Sequence, residues 1–480
     1  VMVYACRGSS CSIMFDHANS PNRIMPTRRT NSCQLAEKLI LLYNFARSYQ
    51  FSQGRTSVRK YYPRVADEVL RSKLEAKGAV LIEGPKWCGK STTAARAARS
   101  AVYLQDPSTR EQNMMLAKAS PRRFLQGDTP KLIDEWQVVP SIWDAVRFEV
   151  DQRDEFGQFI LTGSVTPPAT DEIAHSGTGR ITRMRMRPMT LFESGESSGE
   201  VSLAALFDGD HEVFGETSLS LEDLAFALCR GGWPKAIGCR ESVALAQAVD
   251  YYDDLVSTDF SKIDGVRRSR ERVSRFLRSY ARHSATGATY TTIRADMLAN
   301  ETDSLSEDTI SSYVDVMEKL FVIENLPSWH PNLRSKAAIR TSDTRHFVDP
   351  SIAAASLGLG PNDLMNDLRT YGLLFESLCV RDLRVYAQRL RGDVYHYRNK
   401  RGQEADAVLH LRDGRYALVE AKLFSQEHID EGARSLLSIR DDIDEEKMGS
   451  PSFLMVVTGT PYAYRREDGV LVAPLGTLAP

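Results

Sequence analysis

The sequence predicts an α/β protein whose main domain is a parallel sheet covered by helices on both faces. Short apolar runs alternate with helical stretches from residue 79 onward, as in chains that build parallel sheets. A glycine-rich loop joins the first apolar run to the helix that follows it. Later runs end in acidic or hydroxyl side chains. Because ligands of such sheets bind at the carboxyl ends of the strands, we expect the functional residues there.

The first strand, loop and helix form the segment AVLIEGPKWCGKST at residues 79–92. Its apolar part, Ala79–Glu83, has the composition of a buried strand, and an alanine- and arginine-rich helix follows. Between them, GPKWCGKS fits the pattern G-x-x-x-x-G-K-[ST]. Gly84 and Gly89 let successive backbone N–H groups surround a phosphate, and the helix adds its positive end. The segment predicts a phosphate-binding loop.

The side chains of this loop have predicted roles in binding ATP and Mg²⁺. We expect the Lys90 ammonium to contact the β- and γ-phosphates and the Ser91 hydroxyl to ligate Mg²⁺. Pro85, Lys86 and Thr92 complete the predicted nucleotide contacts. The alternative is a glycine-rich turn with an incidental lysine, which the flanking strand and helix disfavour.

A second strand is predicted at Lys131–Asp134, where an apolar run ends in two acids. Asp134 is expected to hold Mg²⁺, and Glu135 to orient and deprotonate the attacking water. An Asp-Glu pair at the end of a strand is often only part of a turn. Downstream of a phosphate loop in an alternating strand–helix pattern, it predicts a hydrolytic site.

Two further segments contribute candidate catalytic residues. The run FILTGS ends in Thr162 and Ser164, hydroxyls placed to sense the γ-phosphate, although Thr-Gly-Ser is also common in turns. Arg180 is a candidate for the arginine that neutralises charge in the transition state, from its own subunit or a neighbouring one. A surface arginine is the alternative. From Ile181 to Met189, basic and apolar residues alternate.

Bulk composition limits the classes of partner. A chain of 480 residues exceeds one core and suggests roughly three domains. With 61 Lys and Arg against 63 Asp and Glu, the net charge is −2, so binding of nucleic acid requires a local basic patch. We expect no membrane span, because no apolar run approaches about 20 residues. Seven scattered cysteines suit the reducing cytoplasm.

Two segments are expected to be poorly ordered or flexible. Residues 1–57 are rich in basic residues, and only Gln34–Tyr49 has helical periodicity, so we expect a weakly ordered extension. The segment from Glu193 to Glu216 is rich in glycine, serine and acids, which predicts a flexible connection or a partner-facing insertion.

The middle of the chain is predicted to be helical, with one strongly basic helix. The segment Ile263–Arg282 contains seven arginines. The helix after Ser306 has an apolar face and is followed by a candidate strand at Phe321–Leu326. This order suits a module that lays a helix in the major groove of DNA, but the helix carries four acids that repel phosphate. DNA contact through the arginine-rich helix and docking of a protein remain open alternatives.

The C-terminal part contains a second candidate site. Three strands are predicted after a helix that carries Glu376, and they contain Asp406 and the pair Glu420 and Lys422. Period-2 alternation places Glu420 and Lys422 on one face. Two carboxylates and a lysine can hold Mg²⁺ and activate the water that attacks a phosphodiester, the PD-(D/E)XK nuclease pattern. The alternative is a hairpin with salt-bridged polar faces.

Together these segments resemble a known family. GPKWCGKST, KLIDEWQVVPSIWDAVRFEVD, FILTGS and GRITRMRMRPMTLFE are similar to the AAA-type ATPase module of a large prokaryotic family of ATP-binding proteins. Those proteins carry an uncharacterised C-terminal domain related to PD-(D/E)XK nucleases. CRGGWPKAI at 229–237 and YYDDLVSTDF at 251–260 are similar to the same family. The bulky Trp87-Cys88 is a departure, since the family usually has smaller or polar residues there.

The resemblance implies an AAA-type P-loop ATPase at 58–235, a helical and winged-helix region at 236–345 and an α/β restriction-endonuclease-like domain at 346–480. It implies an ATPase that uses ATP and Mg²⁺ and whose nucleotide state moves the C-terminal modules on a nucleic acid, with DNA cleavage as a further expectation. The alternative is a switch in which ATP binding controls docking of a protein partner and the nuclease-like fold is inert. A homo-oligomer is compatible with both.

Overall fold

The computed structural model describes residues 3–6, 11–14, 61–163, 176–259, 268–298, 305–330, 342–399 and 401–480. The chain divides into two units, Val1–Tyr61 and Tyr62–Pro480. In the first unit, β1 (Val3–Cys6) and β2 (Cys11–Met14) pair as an antiparallel hairpin. We expected a weakly ordered extension here, and this part of it forms strands. The helix predicted at residues 34–49 lies outside the described residues.

The second unit begins with a five-stranded parallel sheet. In chain order its elements are α1 (Val65–Leu74), β3 (Ala79–Glu83), α2 (Lys90–Ala97), β4 (Ser100–Tyr103), α3 (Arg110–Ala119), α4 (Pro121–Phe124), β5 (Lys131–Asp134), α5 (Ile142–Arg153), β6 (Phe159–Gly163) and β7 (Ile181–Arg185). The strand order is β4-β5-β6-β3-β7. The predicted parallel sheet is confirmed, and strand bounds differ from the prediction by a few residues at most.

The near-continuous apolar character of β3 follows from helices on both faces of this sheet. Ala79 and Leu81 of β3 pack in a core with α5, whereas Val80 and Ile82 pack on the opposite face with α1 and α2. Because successive side chains of a strand point to opposite faces, a strand covered on both sides must be apolar throughout. This burial fixes the sheet that carries the phosphate loop.

A helical region follows the parallel sheet. Its elements are α6 (Leu191–Ser194), β8 (Val201–Ser202), α7 (Leu203–Phe207), β9 (Gly215–Glu216), α8 (Leu221–Arg230), α9 (Glu241–Asp254), α10 (Arg270–Arg282), α11 (Tyr290–Leu298), α12 (Glu307–Lys319), α13 (Pro350–Leu357), α14 (Pro361–Asn366) and α15 (Leu368–Arg389). After α12, isolated antiparallel bridges join Ile323 to Phe347 and Leu326 to Thr344. The strand predicted at Phe321–Leu326 is therefore a pair of single bridges.

The C-terminal part is a mixed sheet. It contains β10 (Gly392–Arg398), β11 (Glu404–Leu411), β12 (Tyr416–Lys422), α16 (Gln426–Asp442), α17 (Glu445–Met448), β13 (Leu454–Thr458), β14 (Tyr462–Arg465), β15 (Leu471–Pro474) and β16 (Leu478–Ala479). Seven strands pair in the order β10-β11-β12-β13-β15-β14-β9. Strands β12, β13 and β15 are parallel to one another, and the other pairs are antiparallel. The helix α15 covers one face and α16 the other.

The segment predicted to be a flexible connection or a partner-facing insertion instead pairs with strands of the C-terminal part. Strand β8 pairs in parallel with β16, and β9 pairs antiparallel with β14. Glu193, in α6, is buried and forms an ion pair with Arg64 at 3.0 Å. Glycine, serine and acids here form helix caps and tight turns between short elements. The prediction of flexibility is wrong, because the strands of this segment are paired with other strands. The sequence did not indicate this pairing, because the partner strands lie more than 200 residues away.

The middle and C-terminal regions share one core. Apolar side chains of α8, α9, α10, α12 and α13 pack in the same buried cluster as those of α15 and one face of the mixed sheet. This hydrophobic core therefore includes residues on both sides of the domain boundary that we expected at residue 345. None of the described helices has the length and apolar character needed to cross a membrane.

A buried ionic network joins α15 to the segments that follow the parallel sheet. Arg381 contacts Asp349 at 3.0 Å and Asp382 at 2.7 Å, and all three side chains are at most 2% exposed. The backbone N–H of Gly232 donates to Asp349, and that of Leu191 donates to Asp382. Both carboxylates depend on Arg381 for their charge balance.

Replacing Arg381 with alanine is expected to lower the free energy of unfolding by about 3–5 kcal/mol, because two buried carboxylates would lose their counter-ion. The measurement is urea denaturation followed by circular dichroism. The control is Arg401→Ala, because Arg401 is 74% exposed in its pair with Asp442 and its loss should cost less than about 1 kcal/mol. Equal losses in the two variants would contradict the buried network.

Candidate nucleotide and divalent-cation sites

The loop between β3 and α2 has a backbone that requires glycine. Gly84 has φ of 153° and Gly89 has φ of 103°, both in the region that side chains disfavour. A Cβ at Gly84 would lie 2.0 Å from the carbonyl oxygen of Met186, so the loop packs directly on the backbone after β7. The glycines of the sequence pattern are thus explained by close backbone contact as well as by φ.

Lys90 is the first residue of α2 and is only 6% exposed. Its Nζ donates to the carbonyl oxygens of Gly84 at 2.8 Å and Pro85 at 2.7 Å. The ammonium therefore lies inside the curve of the loop. Ser91 and Thr92 occupy the first turn of the helix, where free backbone N–H groups and the positive end of the helix favour an anion.

The two candidate residues at the ends of β5 and β6 are neighbours. Asp134 is directly opposite Thr162 in the parallel register. The Thr162 hydroxyl donates to Asp134 Oδ1 at 2.6 Å. Because β6 also pairs with β3, both side chains lie at the carboxyl ends of the strands, where the phosphate loop begins. The fold brings together the residues that the sequence assigned to one site.

Glu135 follows β5 in a left-handed conformation with φ of 55°. Its N–H lies 3.4 Å from the Thr162 hydroxyl oxygen, and its carboxylate accepts a hydrogen bond from the Gln137 amide. A left-handed backbone is uncommon for a glutamate and is often found at functional sites. Gln137 was missed in the sequence, although it lies only two residues from Glu135. It fixes the direction of the predicted base.

The other two candidates do not join this cluster. Ser164 lies outside the described residues. Arg180 precedes β7 at the amino end of the parallel sheet, and its Nε donates to Asp151 at 2.7 Å. The loop leaves the opposite end of β3, roughly 16 Å away at about 3.3 Å per residue. A role for Arg180 at the loop of its own chain is therefore wrong, because the direction of the parallel strands separates them.

Two further contacts support the loop, and neither has a motif in the sequence. The guanidinium of Arg64 donates to the carbonyl oxygens of Cys88 and Arg187 at 2.7 and 2.8 Å. The Trp87 ring packs against Tyr251 of α9, and Tyr251 stacks on Trp233 at a centroid distance of 4.4 Å. The bulky Trp87 of the loop thus contacts the helical region.

The C-terminal candidates also meet in space. Glu376, Asp406, Glu420 and Lys422 all line one cavity of about 680 Å³ between α15, β11, β12 and α16. Lys422 Nζ lies 2.5 Å from Glu420 Oε2 and 3.7 Å from Asp406 Oδ2. The N–H of Ala421 donates to Asp406 at 2.8 Å. Period-2 alternation on β12 brings Glu420 and Lys422 together, as predicted.

Burial dominates the electrostatics of this cluster. It raises the pKa of Glu376 and of Glu420 well above the ordinary range, and the nearby Asp406 carboxylate raises both further. Burial alone would lower the pKa of Lys422, but attraction to Asp406 and Glu420 outweighs it and the pKa is raised. Three carboxylates thus face one ammonium, a charge balance that an added cation would improve.

The donor set suits a hydrated hard cation. In the described part of the chain, no group of three or more His, Cys, Asp or Glu side chains is arranged as a metal site. Asp406 and Glu420 offer two carboxylates, and Mg²⁺ is commonly held by one or two carboxylates with several waters. At the loop, Ser91 and Asp134 offer a hydroxyl and a carboxylate of the kind used with a bound triphosphate.

The arginine-rich helix α10 is less available for phosphate than its sequence predicts. Arg270, Arg275 and Arg282 pair with Asp253, Glu271 and Asp296 at 3.2, 2.8 and 2.9 Å. Arg268 donates to the Ser312 hydroxyl at 2.6 Å. Arg267 lies outside the described residues. Part of the positive charge of this helix is therefore balanced by Glu271 of the same helix and by Asp253 and Asp296 of neighbouring helices.

Comparison with known proteins identifies the first module. Residues 76–194 match an AAA domain. Residues 221–363 and 371–478 match two domains of unknown function, DUF8612 and DUF4143. These matches begin near the start of α8 and within α15, so they divide the chain differently from our expected boundaries at 235 and 345. An AAA-type module over the parallel sheet is thus supported by sequence as well as by geometry.

Matches that extend beyond the AAA domain have low sequence identity. Uncharacterised proteins of Mycobacterium bovis and Mycobacterium tuberculosis are each 23% identical over 378 residues, covering 77% of this chain and 75% of theirs. The Walker-type ATPase paby2304 of Pyrococcus abyssi is 15% identical, with a TM-score of 0.39, covering 63% of this chain and 98% of that one. Drosophila ORC bound to DNA is 10% identical, with a TM-score of 0.20, covering 57% and 88%.

Replacing Gly84 with alanine is expected to weaken ATP binding roughly tenfold or more, because the new Cβ must displace the Met186 carbonyl and reshape the loop. Titration with a fluorescent ATP analogue measures this affinity. Gly209→Ala is the control: Gly209 has φ of 92°, but a Cβ there meets no atom within 4 Å. Normal affinity in Gly84→Ala would contradict the assignment of the loop.

Proposed function

We propose that this chain is an Mg²⁺-dependent ATPase whose nucleotide state is coupled to its C-terminal modules. The observation that carries the ATPase is the convergence of the loop, Asp134 and Thr162 at one edge of the parallel sheet. A glycine turn with an incidental lysine would not require a buried Lys90 directed into the loop, nor an acid and a hydroxyl on the adjoining strands.

Each residue of the loop site has a defined task in hydrolysis. The loop N–H groups and Lys90 bind the phosphates, for which the ammonium must exchange its two carbonyl acceptors for phosphate oxygens. Thr162 orients the Asp134 carboxylate through its hydroxyl proton. Glu135 accepts the proton of the attacking water, and Gln137 positions its carboxylate. Ser91 and Asp134 would hold Mg²⁺, which when bound would supply charge neutralisation at the phosphates.

A continuous set of contacts connects the loop to α15. Trp87 contacts Tyr251, which stacks on Trp233, and the Trp233 indole N–H donates to Ser351 at 3.1 Å. The neighbouring Asp349 pairs with Arg381 on α15, five residues from Glu376. A change in the position of the loop on binding ATP would therefore reach the helix that carries part of the C-terminal cluster.

The C-terminal cluster is proposed to act on a phosphodiester in the manner of PD-(D/E)XK nucleases. Asp406 and Glu420 would hold a divalent cation, and Lys422 would stabilise the hydroxide that attacks phosphorus. The restriction-endonuclease-like fold and the winged-helix character of α10–α12 are part of this proposal. DNA is the proposed substrate, and cleavage is expected to depend on Mg²⁺.

The second candidate is a nucleotide-controlled docking switch with an inert C-terminal domain. It is favoured by the internal satisfaction of the cluster, since Lys422 neutralises Glu420 and Asp406 accepts from the Ala421 N–H. In that case the partner is a protein, and ATP binding alters the surface presented by the helical region. Arg180 is 45% exposed and is retained as a proposal only for a contact with a neighbouring subunit.

Replacing Glu135 with glutamine should reduce ATP turnover by about 10²–10⁴-fold while retaining nucleotide affinity, because only the proton acceptor is lost. Phosphate release measures turnover, and the fluorescent analogue measures affinity. The exposed residue Glu111 provides a matched control, and Glu111→Gln should hydrolyse ATP normally. Undiminished turnover in Glu135→Gln would exclude this glutamate as the base.

Replacing Glu420 with glutamine should abolish any Mg²⁺-dependent nicking of DNA and leave ATP turnover unchanged, since the two sites are separate. Supercoiled plasmid and single-stranded DNA are the substrates. Glu404→Gln is the control, because Glu404 lines the same cavity but pairs with Arg398 at 2.7 Å. If nicking survives Glu420→Gln, the nuclease site is not the Glu420 cluster. If the unmodified chain hydrolyses ATP without nicking DNA, the docking switch is supported.

A further inference from the structure

A separate cavity of about 1000 Å³ lies where β7 and α1 meet the carboxyl end of α15 and the start of β10. It includes no residue of the phosphate loop and none of the Glu376 cluster. Among the described residues, eight Lys and Arg side chains and three acidic side chains line it. The chain as a whole has a net charge of −2, so this surplus of five positive charges is a local concentration.

The alternating basic and apolar residues of β7 form one wall. Met184 and Met186 are buried in the core, whereas Arg183, Arg185 and Arg187 line the cavity. Because β7 is the edge strand of the parallel sheet, alternation places Arg183 and Arg185 on one side, roughly 6.6 Å apart, and Arg187 follows just beyond the end of the strand. This spacing is comparable with that of adjacent phosphates in an extended nucleic acid strand.

The opposite wall adds cations from α15 and the C-terminal sheet. Arg384 and Arg389 project from the last turns of α15, and Arg391 and Arg412 border β10 and the turn after β11. Lys73, from the last turn of α1, faces them across the cavity. Positive side chains therefore approach the cavity from both modules.

The acids of the cavity are fewer than its cations, although several cations are paired. Arg389 pairs with Glu68, Arg412 with Asp393, and Arg183 with Glu83, which lies outside the lining.

Glu324 is shared by Arg187 at 2.7 Å, Arg185 at 3.3 Å and Arg384 at 3.9 Å. These three arginines lower the pKa of Glu324, although burial opposes them. One carboxylate thus serves three guanidiniums, while Gln388 also accepts from Arg187, and the carbonyl oxygens of Glu324 and Asn325 accept from Arg384. Of the three arginines, Arg185 has the most exposed side chain, at 37%.

Two cations have no acid at all within the described part of the chain. Lys73 and Arg391 form no salt bridge to a described carboxylate, and Lys73 has only a 3.5 Å contact with the Thr182 hydroxyl. Burial lowers the pKa of Lys73, as expected for an ammonium that has lost water without gaining a counter-ion. An anionic ligand would restore the charge balance.

The lining points to phosphate as the anion. Guanidiniums donate in forks that match phosphate oxygens, and several of them in a row suit a ligand with repeated charges. Charged and polar residues dominate the walls, whereas small-molecule pockets are mostly apolar. A cavity of about 1000 Å³ accommodates a few nucleotides of one strand.

We propose that this cavity binds the sugar-phosphate backbone of a single-stranded nucleic acid. The inference deepens the proposed coupling of the ATPase to nucleic acid and rests on it for its biological use. Binding itself requires only the cavity, so it can be tested without ATP turnover. The cavity joins the edge strand of the ATPase sheet to the end of α15, and a bound strand would contact both.

The test is fluorescence anisotropy of a labelled single-stranded oligonucleotide of about 12 nucleotides, as DNA and as RNA, with the full chain. The test variant is Arg391→Glu with Arg412→Glu, because both side chains are exposed. The control is Arg110→Glu with Arg122→Glu, two exposed arginines outside the cavity that give the same change in net charge. Thermal melting of both variants verifies the fold.

We expect the test variant to bind about tenfold more weakly or worse at low salt. Its plot of log affinity against log salt should be shallower by about 1.4, since each lost phosphate contact on a single strand contributes about 0.7. The control should match the unmodified chain. Equal weakening of both double variants, or no binding by the unmodified chain, would overturn the proposal.

Two further measurements separate this proposal from others. If tripolyphosphate binds the cavity and the oligonucleotide does not, the site binds a free polyphosphate. That result would overturn the proposal that the cavity binds a nucleic acid. Lys90→Ala should lose ATP binding but keep oligonucleotide binding. If the chain hydrolyses ATP but binds no oligonucleotide, only the nucleic-acid site in the cavity is refuted. If it binds the oligonucleotide but has no ATPase activity, only the proposed ATPase function is refuted.

Discussion

The parallel register of β5, β6 and β3 is the constraint on which the nucleotide site depends. Asp134 lies opposite Thr162, and Glu83, from which the loop departs, lies opposite Gly163. The carboxyl ends of parallel strands lie on the same side of the sheet, so three segments far apart in sequence must meet there. Backbone pairing of β3 with both β6 and β7, together with its burial on both faces, holds this strand in place.

The second feature of the molecule is a core shared by the helical region and the mixed sheet. The ionic network around Arg381 and the aromatic contact of Trp87 with Tyr251 attach this core to the ATPase sheet. A module joined by buried contacts moves less freely than one joined by a linker. Any coupling between the nucleotide and the C-terminal cluster must therefore pass through small shifts of packed side chains.

Charge is distributed in a way that overall composition conceals. Three arginines of α10, Arg270, Arg275 and Arg282, pair with acids of the same helix or of adjacent helices, although this segment is strongly basic in sequence. Arg185, Arg187 and Arg384, which come from two distant segments, converge around one acid, Glu324. A basic run in a sequence is therefore a weaker indicator of an anion site than basic residues that tertiary packing collects.

The sequence by itself determined the phosphate loop, the strands at residues 79–83 and 131–134, and the pairing of Glu420 with Lys422, because local spacing controls each of them. Gly84 and Lys90 act within one turn of chain, and period-2 alternation needs no distant partner. Tertiary structure alone decided that residues 193–216 join the C-terminal sheet, that Arg180 lies at the far end of the sheet and that Arg64 supports the loop. These features depend on contacts between residues separated by 20 to more than 200 positions, and such contacts leave no period or motif in the chain.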